Sequence, residues 1–478
     1  MPAPALVTEL EAATVALNAC LYAEDAGLPV APDAYAAPTA ALGRLYAELL
    51  AGDNPDYRHF AIDAQAEADR LAHDQAVVAA MDAHLPSPNL SVGGQPLSWR
   101  NWKAYERASA GSQAALSVGF DHMVAQSASF VPALEARAAQ LRASYAPHGL
   151  TPVHTFAARE GLSVEALRAL LLGLGLSGRA AFHAAADRLS QVVFARAVGP
   201  VELRALYLNL MYAPAAPLFD AATAVPATLA AFRRLDFELT HVPVDVDERP
   251  LKYPGAFCFP VQVPGDVRVS VRTATAHHLI DMLYHELGHA VHFSGIDADR
   301  SFLDRYWILS GTHEVFSTLF ECLLAEPRFL EEQFGLTGPA LAQLLDFAAF
   351  KRLLTGAWLG ASGLTVLDAW LEALPWTVVE QRLAAHRLAF TGVLFPPGFA
   401  RLEPFTAALS IYPAGYVLAE VRVTHWLARL RTLGGEAWWR SPAALADIRA
   451  HVAPGGAVRW PAAWNLPAAL SNPAGPAA

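Results

Sequence analysis

The sequence has little cysteine and little charge. Only three cysteines, Cys20, Cys258 and Cys322, occur among 478 residues, and no two of them form a C-x-x-C pair. This count and spacing indicate neither a disulfide framework nor a cysteine zinc site, so histidines and carboxylates must hold any metal ion. Charged residues make up 17% of the chain and hydrophobic residues 54%, which excludes a disordered chain and predicts a compact fold.

Basic stripes and long apolar runs are also missing. The net charge is −11 and no basic stripe occurs, so we expect no nucleic-acid partner. No apolar run reaches the roughly 18 residues that span a bilayer. The first apolar residues are also not preceded by the basic region with which a signal peptide begins. We therefore expect a cytoplasmic protein without a membrane partner. The oligomeric state is open.

Helical periodicity dominates what the sequence does contain. It predicts helices over 133–145, after an N-cap at Ser163, and around Pro339 in "GPALAQLLDFAAFKRLL". The exception is 237–273, where "FELTHVPVDV" and "VRVSVRT" alternate as strands do. We therefore predict a mainly α chain with a small β-sheet just before the histidine-rich segment at 284–292. Two lobes are expected, an N-terminal helical lobe over 1–195 and a second lobe over 196–478 that contains the histidine-rich segment. Their boundary is approximate, and the alternative is one structural unit.

The segment "YHELGHAVH", residues 284–292, carries the strongest chemical signal. In a helix, His285 and His289 lie one turn apart on one face, where both imidazoles can reach one metal ion. Glu286 lies one step round the helix and is better placed to take a proton from a water molecule beside the metal. The alternative is a helix that carries histidines by chance. A third candidate ligand elsewhere in the chain is needed to distinguish a metal site from this alternative.

A candidate third ligand follows in "GTHEVFSTLFE". Glu314 comes 25 residues after His289, at the start of a second apolar-periodic helix, and would complete a His2Glu zinc set with an open fourth position. A solvated glutamate in the first turn of a helix would look the same by itself. Together with the two histidines, Glu314 is interpreted as a ligand of one Zn2+ per chain.

Three blocks of the chain together resemble the M3 metallopeptidases, the group of thimet oligopeptidase and oligoendopeptidase F. They are "HELGHAVH", "EVFSTLFE" and the preceding "KYPGAF", in the order found in that family. The matching positions are His285, Glu286, Gly288, His289, Ala290 and His292, then Glu314, Ser317 and Glu321, and Gly255, Ala256 and Phe257. The resemblance covers about 252–321 and is faint elsewhere.

The resemblance implies a zincin-like architecture of two helical lobes around a deep cleft, with the small sheet next to the active-site helix. It implies a zinc metallopeptidase that hydrolyses short, unstructured oligopeptides. It also implies that the strand predicted at 267–273 is an edge strand that pairs with the peptide backbone, since strand addition holds extended peptides whatever their side chains. A merely structural hairpin strand is the alternative.

The family places an oxyanion donor in a C-terminal segment that has a histidine followed by several tyrosines. The best match is "LSIYPAGYVLAEV", which retains Tyr412 and Tyr416 as candidate catalytic residues. Ser410 stands where the family has the histidine, and Leu418 where a further tyrosine is common. Core packing of these aromatic rings is the alternative interpretation.

Several acidic and histidine side chains near the ligands are open to two interpretations. Asp281 and Glu321 could orient the ligands or be ordinary helix carboxylates. The remaining histidines of this region are expected to be structural or to line the cleft: His277, His278, His292 and, without an assignment, His313.

Two other functions stay open. The departures at Ser410 and Leu418 allow a non-catalytic peptide-binding protein on the same scaffold, although an intact Glu286 speaks against it. The same metal set would also serve a zinc carboxypeptidase or dipeptidyl carboxypeptidase.

Overall fold

The computed structural model describes residues 2–31, 33–207, 215, 217–249, 251–253, 255–272 and 275–465. Its α-helices in the first half of the chain are α1 (Pro4–Asp25), α2 (Ala36–Ala51), α3 (Pro55–His84), α4 (Trp102–Ala108), α5 (Gln113–Gln126), α6 (Val131–Tyr145), α7 (Pro152–Arg159), α8 (Val164–Phe194), α9 (Pro200–Tyr207) and α10 (Ala221–Arg234). The others are α11 (Ala276–Gly295), α12 (Phe302–Tyr306), α13 (Ser310–Glu321), α14 (Pro327–Phe334), α15 (Gly338–Leu354), α16 (Gly360–Leu371), α17 (Trp376–Thr391), α18 (Pro404–Ala407), α19 (Tyr412–Gly434) and α20 (Pro442–Val452). The strands are β1 (Ser87–Val92), β2 (Gln95–Leu97), β3 (Val244–Asp245), β4 (Ala256–Gln262) and β5 (Asp266–Val271). The prediction of a mainly α chain with a small sheet before the histidine helix is confirmed.

Local signals set several helix ends. Ser163 is the N-cap of α8, and its Oγ accepts the backbone N–H of Ala166 at 3.1 Å. A hydroxyl at this position satisfies one of the amide groups that the first helical turn leaves unpaired. Pro339 stands in the first turn of α15, where its missing N–H costs nothing.

The chain divides into two compact units. Unit 1 comprises Met1–Gln65, Ala215–Ala348 and Ala419–Trp464, and unit 2 comprises Ala66–Pro214, Ala349–Leu418 and Asn465–Ala478. This division differs from the two contiguous lobes expected from the sequence, with a boundary near residue 195. Each unit is assembled from segments that are distant in the chain. Local sequence patterns do not predict such long-range contacts.

Packing of the N-terminal helices explains why residues up to 65 belong to unit 1. Leu45 of α2 and Phe60 of α3 are buried in one apolar cluster with Phe302 of α12. Glu11 of α1 forms a bidentate ion pair with Arg305 of α12, with both N–O distances at 2.5 Å. The first three helices therefore support the region that follows the histidine helix.

The three-stranded sheet of unit 1 has the order β3-β5-β4. β4 pairs with β5 in antiparallel fashion, with Cys258 opposite Val269, and β3 pairs with β5 in parallel. The segment predicted as an edge strand therefore forms the central strand, and β4 lies at an edge. The alternation of valine and polar residues reports which face of a strand is buried, whereas the edge position depends on which strands pair.

Unit 2 is built around the long helix α8, which packs against α16 and α17. Gly175 of α8 allows this close approach, because a Cβ there would lie 2.2 Å from the ring of Phe390 in α17. Between α15 and α16 the helix widens into a π-helical turn over Thr355–Leu359. This turn places Trp358 in the interior of the unit, fully buried.

Two helices of the described chain, α1 and α8, are long and apolar enough to cross a bilayer when judged by length and composition alone. Both helices pass this threshold with charged residues inside them, such as Glu9 in α1 and Arg179 in α8, so neither is an uninterrupted apolar run of about 18 residues. Core helices of soluble proteins also reach it, so the absence of a membrane partner stays a prediction.

Candidate metal centre

The histidine helix α11 begins at a side-chain cap and is buried along most of its length. Thr275 is the N-cap, and its Oγ1 accepts the backbone N–H of His278 at 3.2 Å. Apolar residues such as Leu283 and Leu287 are fully buried, which holds the helix in the interior of unit 1. The two predicted histidine ligands are thus presented by a rigid element.

A glycine inside the motif allows α11 and α13 to cross closely. A Cβ on Gly288 would lie 2.7 Å from the Cα of Ser317 and 2.9 Å from the carbonyl oxygen of Phe316. No side chain fits in this space without a backbone shift. The close crossing brings the third candidate ligand, on α13, against the histidines of α11.

The structure brings His285, His289 and Glu314 together. Nε2 of His285 and Nε2 of His289 each lie 3.4 Å from the same carboxylate oxygen, Oε2 of Glu314. One ligand atom from each residue lies within 4.8 Å of the others. The carboxylate of Glu314 is fully buried, as expected for a group that is not simply solvated at a helix start.

The three side chains suit a zinc ion in both chemistry and spacing. Two nitrogen or oxygen ligands at about 2.0–2.1 Å from a tetrahedral zinc ion lie about 3.4 Å apart. Both His–Glu distances match this value. Two imidazoles and one carboxylate are also the set that leaves one coordination position open for catalysis. The residues therefore fit a catalytic zinc site.

Two further side chains contact these candidate ligands. Nδ1 of His285 donates to Oε2 of Glu321 at 2.9 Å, which fixes the orientation of the ring and directs Nε2 toward Glu314. The hydroxyl of Ser317 donates to Oε2 of Glu314 at 2.8 Å, and these two residues are one turn apart on α13. Of the two carboxylates that the sequence left open, Glu321 contacts a ligand, whereas Asp281 lies 3.9 Å from His278.

The charges of the cluster favour a cation. Burial by itself would raise the pKa of Glu314, but the charges and hydrogen bonds of His289 and His285 hold that pKa well below its usual range. Burial would also lower the pKa of His285, but hydrogen bonds with Glu314 and Glu321 raise it well above its usual value. The carboxylates thus create a negative potential at the imidazole nitrogens.

Glu286 lies between the candidate ligands and strand β4. Its carboxylate is buried and accepts the backbone N–H of Cys258. Burial raises the pKa of Glu286, and the neighbouring His285 and His289 oppose this shift. A carboxylate whose proton affinity is raised in this way suits a general base.

Three other histidines of the region pack against aromatic rings or against the cluster itself. His292 is fully buried and stacks on Phe316, with ring centroids 3.9 Å apart, and burial lowers its pKa well below the usual value. Nδ1 of His313 lies 3.8 Å from Oε1 of Glu314, and burial lowers the pKa of His313 to about 4. His277 packs on the ring of Phe219.

The candidate oxyanion donors belong to unit 2, whereas the cluster around Glu314 belongs to unit 1. Tyr412 begins α19, its ring lies 5.3 Å from that of Tyr416, and both are half-buried. Ser410 accepts the backbone N–H of Tyr412 through its hydroxyl at 3.3 Å, and Leu418 is fully buried. A catalytic role for either tyrosine stays a prediction.

Sequence reasoning missed two features of this site. It gave no role to Ser317, although the spacing of three residues from Glu314 signals a possible helix-surface contact. It also did not foresee the contact between Glu286 and the backbone of Cys258, because no local pattern links two residues so far apart in the chain.

Comparisons with known proteins show which solved structures share this fold. Among solved structures, the chain is similar to PZ peptidase A with an inhibitor (TM-score 0.56, 12% identity, 91% of this chain and 83% of the other). It is similar to a structure of CHT (TM-score 0.56, 14% identity, 98% and 97%) and to metallocarboxypeptidase 1 of Trypanosoma cruzi (TM-score 0.55, 13% identity, 96% and 95%). No family model and no curated protein sequence matches the chain. The chain therefore has a mainly α-helical fold similar to that of these solved structures.

Proposed function

We propose that the protein is a zinc-dependent metallopeptidase that hydrolyses peptide bonds in short, unstructured oligopeptides. The observation that carries the proposal is the buried convergence of His285, His289 and Glu314, with Glu286 beside them. The metallopeptidase fold supports it. The M3 oligopeptidase type rests on the sequence resemblance.

The residues of the site divide the chemistry between them. A zinc ion held by His285, His289 and Glu314 would supply a Lewis acid that polarises the substrate carbonyl and makes water more acidic. Glu286 accepts one proton from the attacking water while the oxygen of that water molecule bonds to the carbonyl carbon. The same carboxyl group then gives that proton to the leaving amine nitrogen as the C–N bond breaks. Tyr416 or Tyr412 is proposed to donate a hydrogen bond to the oxyanion.

Strand β4 supports an extended substrate. Arg272 donates its backbone N–H to the carbonyl of Gly255 at 2.8 Å, so Gly255 belongs to the residues bonded toward β5. By the alternation of an antiparallel pair, the backbone polar groups of Ala256, Cys258 and Pro260 then point away from β5. The carbonyl of Pro260 accepts the side chain of Asn18 at 3.0 Å. The backbone of Ala256 is left at the open edge, two residues before the Cys258 N–H that faces Glu286, and an extended peptide would pair there.

Cleavage by a zinc-loaded preparation, assayed with a library of quenched fluorescent peptides, tests the proposal. Glu286→Gln should lower kcat by about 10²- to 10⁴-fold, because it removes the general base, while zinc content stays at one ion per chain. Glu436→Gln, an exposed position in unit 1, is the matched control and should retain full activity.

The same preparation separates the alternative functions. If the zinc-loaded protein cleaves no peptide in the library, and Glu286→Gln binds the same peptides equally well, the protein is a non-catalytic peptide-binding protein. Mapping of cut sites by mass spectrometry distinguishes internal cleavage from the stepwise C-terminal trimming of a carboxypeptidase or dipeptidyl carboxypeptidase.

A further inference from the structure

Helix α1 runs along the last part of strand β4 within unit 1. Arg305, which pairs with Glu11 of α1, donates from Nη1 to the carbonyl oxygen of Val263 at 2.9 Å, just past the end of β4. Asn18, two helical turns after Glu11, donates from Nδ2 to the carbonyl oxygen of Pro260 at 3.0 Å. Seven residues of an α-helix rise about 10.5 Å, and three residues of a strand extend about 10 Å. The helix and the strand therefore lie side by side and run in opposite directions.

Aromatic and apolar contacts hold α1 in this position. Tyr22 is buried, and its ring meets that of Phe259 edge to face, with centroids 5.4 Å apart. Tyr22 also belongs to one apolar cluster with Val261. Side chains alternate along a strand, so Phe259 and Val261 lie on the same face of β4. Helix α1 thus packs on this face, and the side chain of Asn18 reaches the edge of the strand.

The backbone groups that β4 directs away from β5 differ from residue to residue. Ala256 presents both an N–H and a carbonyl oxygen at the edge. The N–H of Cys258 is bonded to Glu286, so its carbonyl oxygen is what it offers to a peptide. Pro260 has no N–H, and the side chain of Asn18 stands in front of its carbonyl oxygen. Strand addition needs such donors and acceptors, so the edge that a peptide can use ends before Pro260.

We propose that Asn18 and Pro260 together limit how far a bound peptide pairs with β4, and thereby set the length of substrate that is recognised on one side of the cleaved bond. The inference rests on the proposed peptidase function, because Glu286, the proposed general base, marks the position of that bond beside Cys258. Pro260 lies two residues further along, which is about 7 Å in a strand. Substrate residues beyond roughly two positions from the cleaved bond, on this side, therefore add no hydrogen bonds to β4.

Peptide binding to the zinc-loaded Glu286→Gln protein tests the length limit without cleavage. The probe is a peptide that the unaltered protein cleaves, with its cut site mapped, and it is extended one alanine at a time at either end in two separate series. Fluorescence anisotropy measures Kd for each member. In one of the two series, Kd should stop falling about two residues from the cut site, because the usable edge of β4 ends there.

Asn18→Ala, added to the same protein, should extend the usable edge by one acceptor. It exposes the carbonyl oxygen of Pro260, so the longer peptides of that one series should bind about 2- to 10-fold more tightly, the range expected for one additional hydrogen bond. The other series should not change. Alanine is favourable inside a helix, so α1 should still form. Thr8→Ala, at an exposed position of α1, is the matched control and should leave both series unchanged.

Methylation of one peptide amide at a time identifies the hydrogen bond that is gained. In the Asn18→Ala protein, methylation of the amide that reaches Pro260 should cancel the tighter binding, whereas with Asn18 in place the same methylation should have no effect. Affinity that keeps rising with length in both series, or an Asn18→Ala protein with unchanged Kd values, would overturn the proposal. A zinc-loaded protein that cleaves no peptide of the library would refute the proposed function and this inference with it, whereas cleavage without the length limit would refute the inference alone.

Discussion

Glu321 accepts a hydrogen bond from Nδ1 of His285 at 2.9 Å and thereby sets which nitrogen of that imidazole faces Glu314. The two residues lie on different helices, α11 and α13, 36 positions apart in the chain. The carboxylate fixes the tautomer and the ring orientation, and it increases the basicity of Nε2. Ligand geometry at this site therefore depends on a group that is not itself a proposed ligand.

We expect Glu321→Gln to weaken zinc affinity by about 10- to 100-fold. The glutamine amide is neutral and lacks the negative charge with which the carboxylate stabilises the Nδ1–H tautomer of His285. Competition with a chromophoric chelator measures this affinity. Glu331→Gln, an exposed glutamate of α14, is the control. An unchanged affinity in Glu321→Gln would show that the contact with His285 is not needed for ligand orientation.

We expect Ser317→Ala to lower zinc affinity roughly tenfold, since a hydrogen bond to a charged group contributes about 1.5–3 kcal/mol. The hydroxyl donates to Oε2 of Glu314 at 2.8 Å, and alanine fits at the crossing of α11 and α13 without new contacts. The unfolding midpoint in urea should change much less than the affinity. A loss of stability with normal zinc affinity would contradict the orienting role of this hydroxyl.

Gly288→Ala should destabilise the fold by about 1–3 kcal/mol or more, because the new Cβ would lie 2.7 Å from the Cα of Ser317 and the helices would have to separate. Zinc affinity should fall as well, since the separation moves Glu314 away from the histidines. Urea unfolding and zinc titration measure the two effects. Gly265→Ala has open space around its Cβ and should be nearly neutral. A fully stable Gly288→Ala protein would refute the close crossing.

Asp25 provides a pH-dependent test of stability in unit 1. Burial, and to a lesser extent Glu24, raise the pKa of Asp25 to about 6 from its usual 3.8. Folding therefore favours the protonated form of Asp25. The contribution of this group to the free energy of unfolding is fully present below its usual pKa of 3.8 and is lost as the pH rises through about 6.

Asp25→Asn should accordingly raise the free energy of unfolding at pH 8 by about 1–2 kcal/mol, allowing for partial exposure, with little effect at pH 4. Urea unfolding at both pH values measures this difference. Asp33→Asn, at an exposed position, is the control and should show no such dependence. Equal effects of Asp25→Asn at both pH values would contradict the raised pKa.

Helical periodicity in the sequence was sufficient to place two histidines on one face of α11 and a glutamate beside them. The caps at Ser163 and Thr275 are equally local, although only the first was recognised. These features depend on residues within one or two helical turns, so their geometry follows from the chain itself.

The edge of the sheet could not be derived in this way. The strand predicted at 267–273 is confirmed as a strand over Asp266–Val271, but its edge position was wrong, since β3 pairs on its other side. Alternation of side chains is the same in an edge strand and in a central strand with one buried face. Only the pairing partners decide the difference.

By itself the sequence determined the helical character of the chain, the zinc-suited spacing of His285 and His289, and Glu314 as the candidate third ligand. Tertiary structure alone decided that Gly288 lets Ser317 reach its position against α11, that residues up to 65 belong to unit 1, and that Arg387 and Trp358 meet in the interior of unit 2. The physical reason is range: helical spacing and caps act over a few residues, whereas close packing and buried charge arise between segments that only the folded chain brings together.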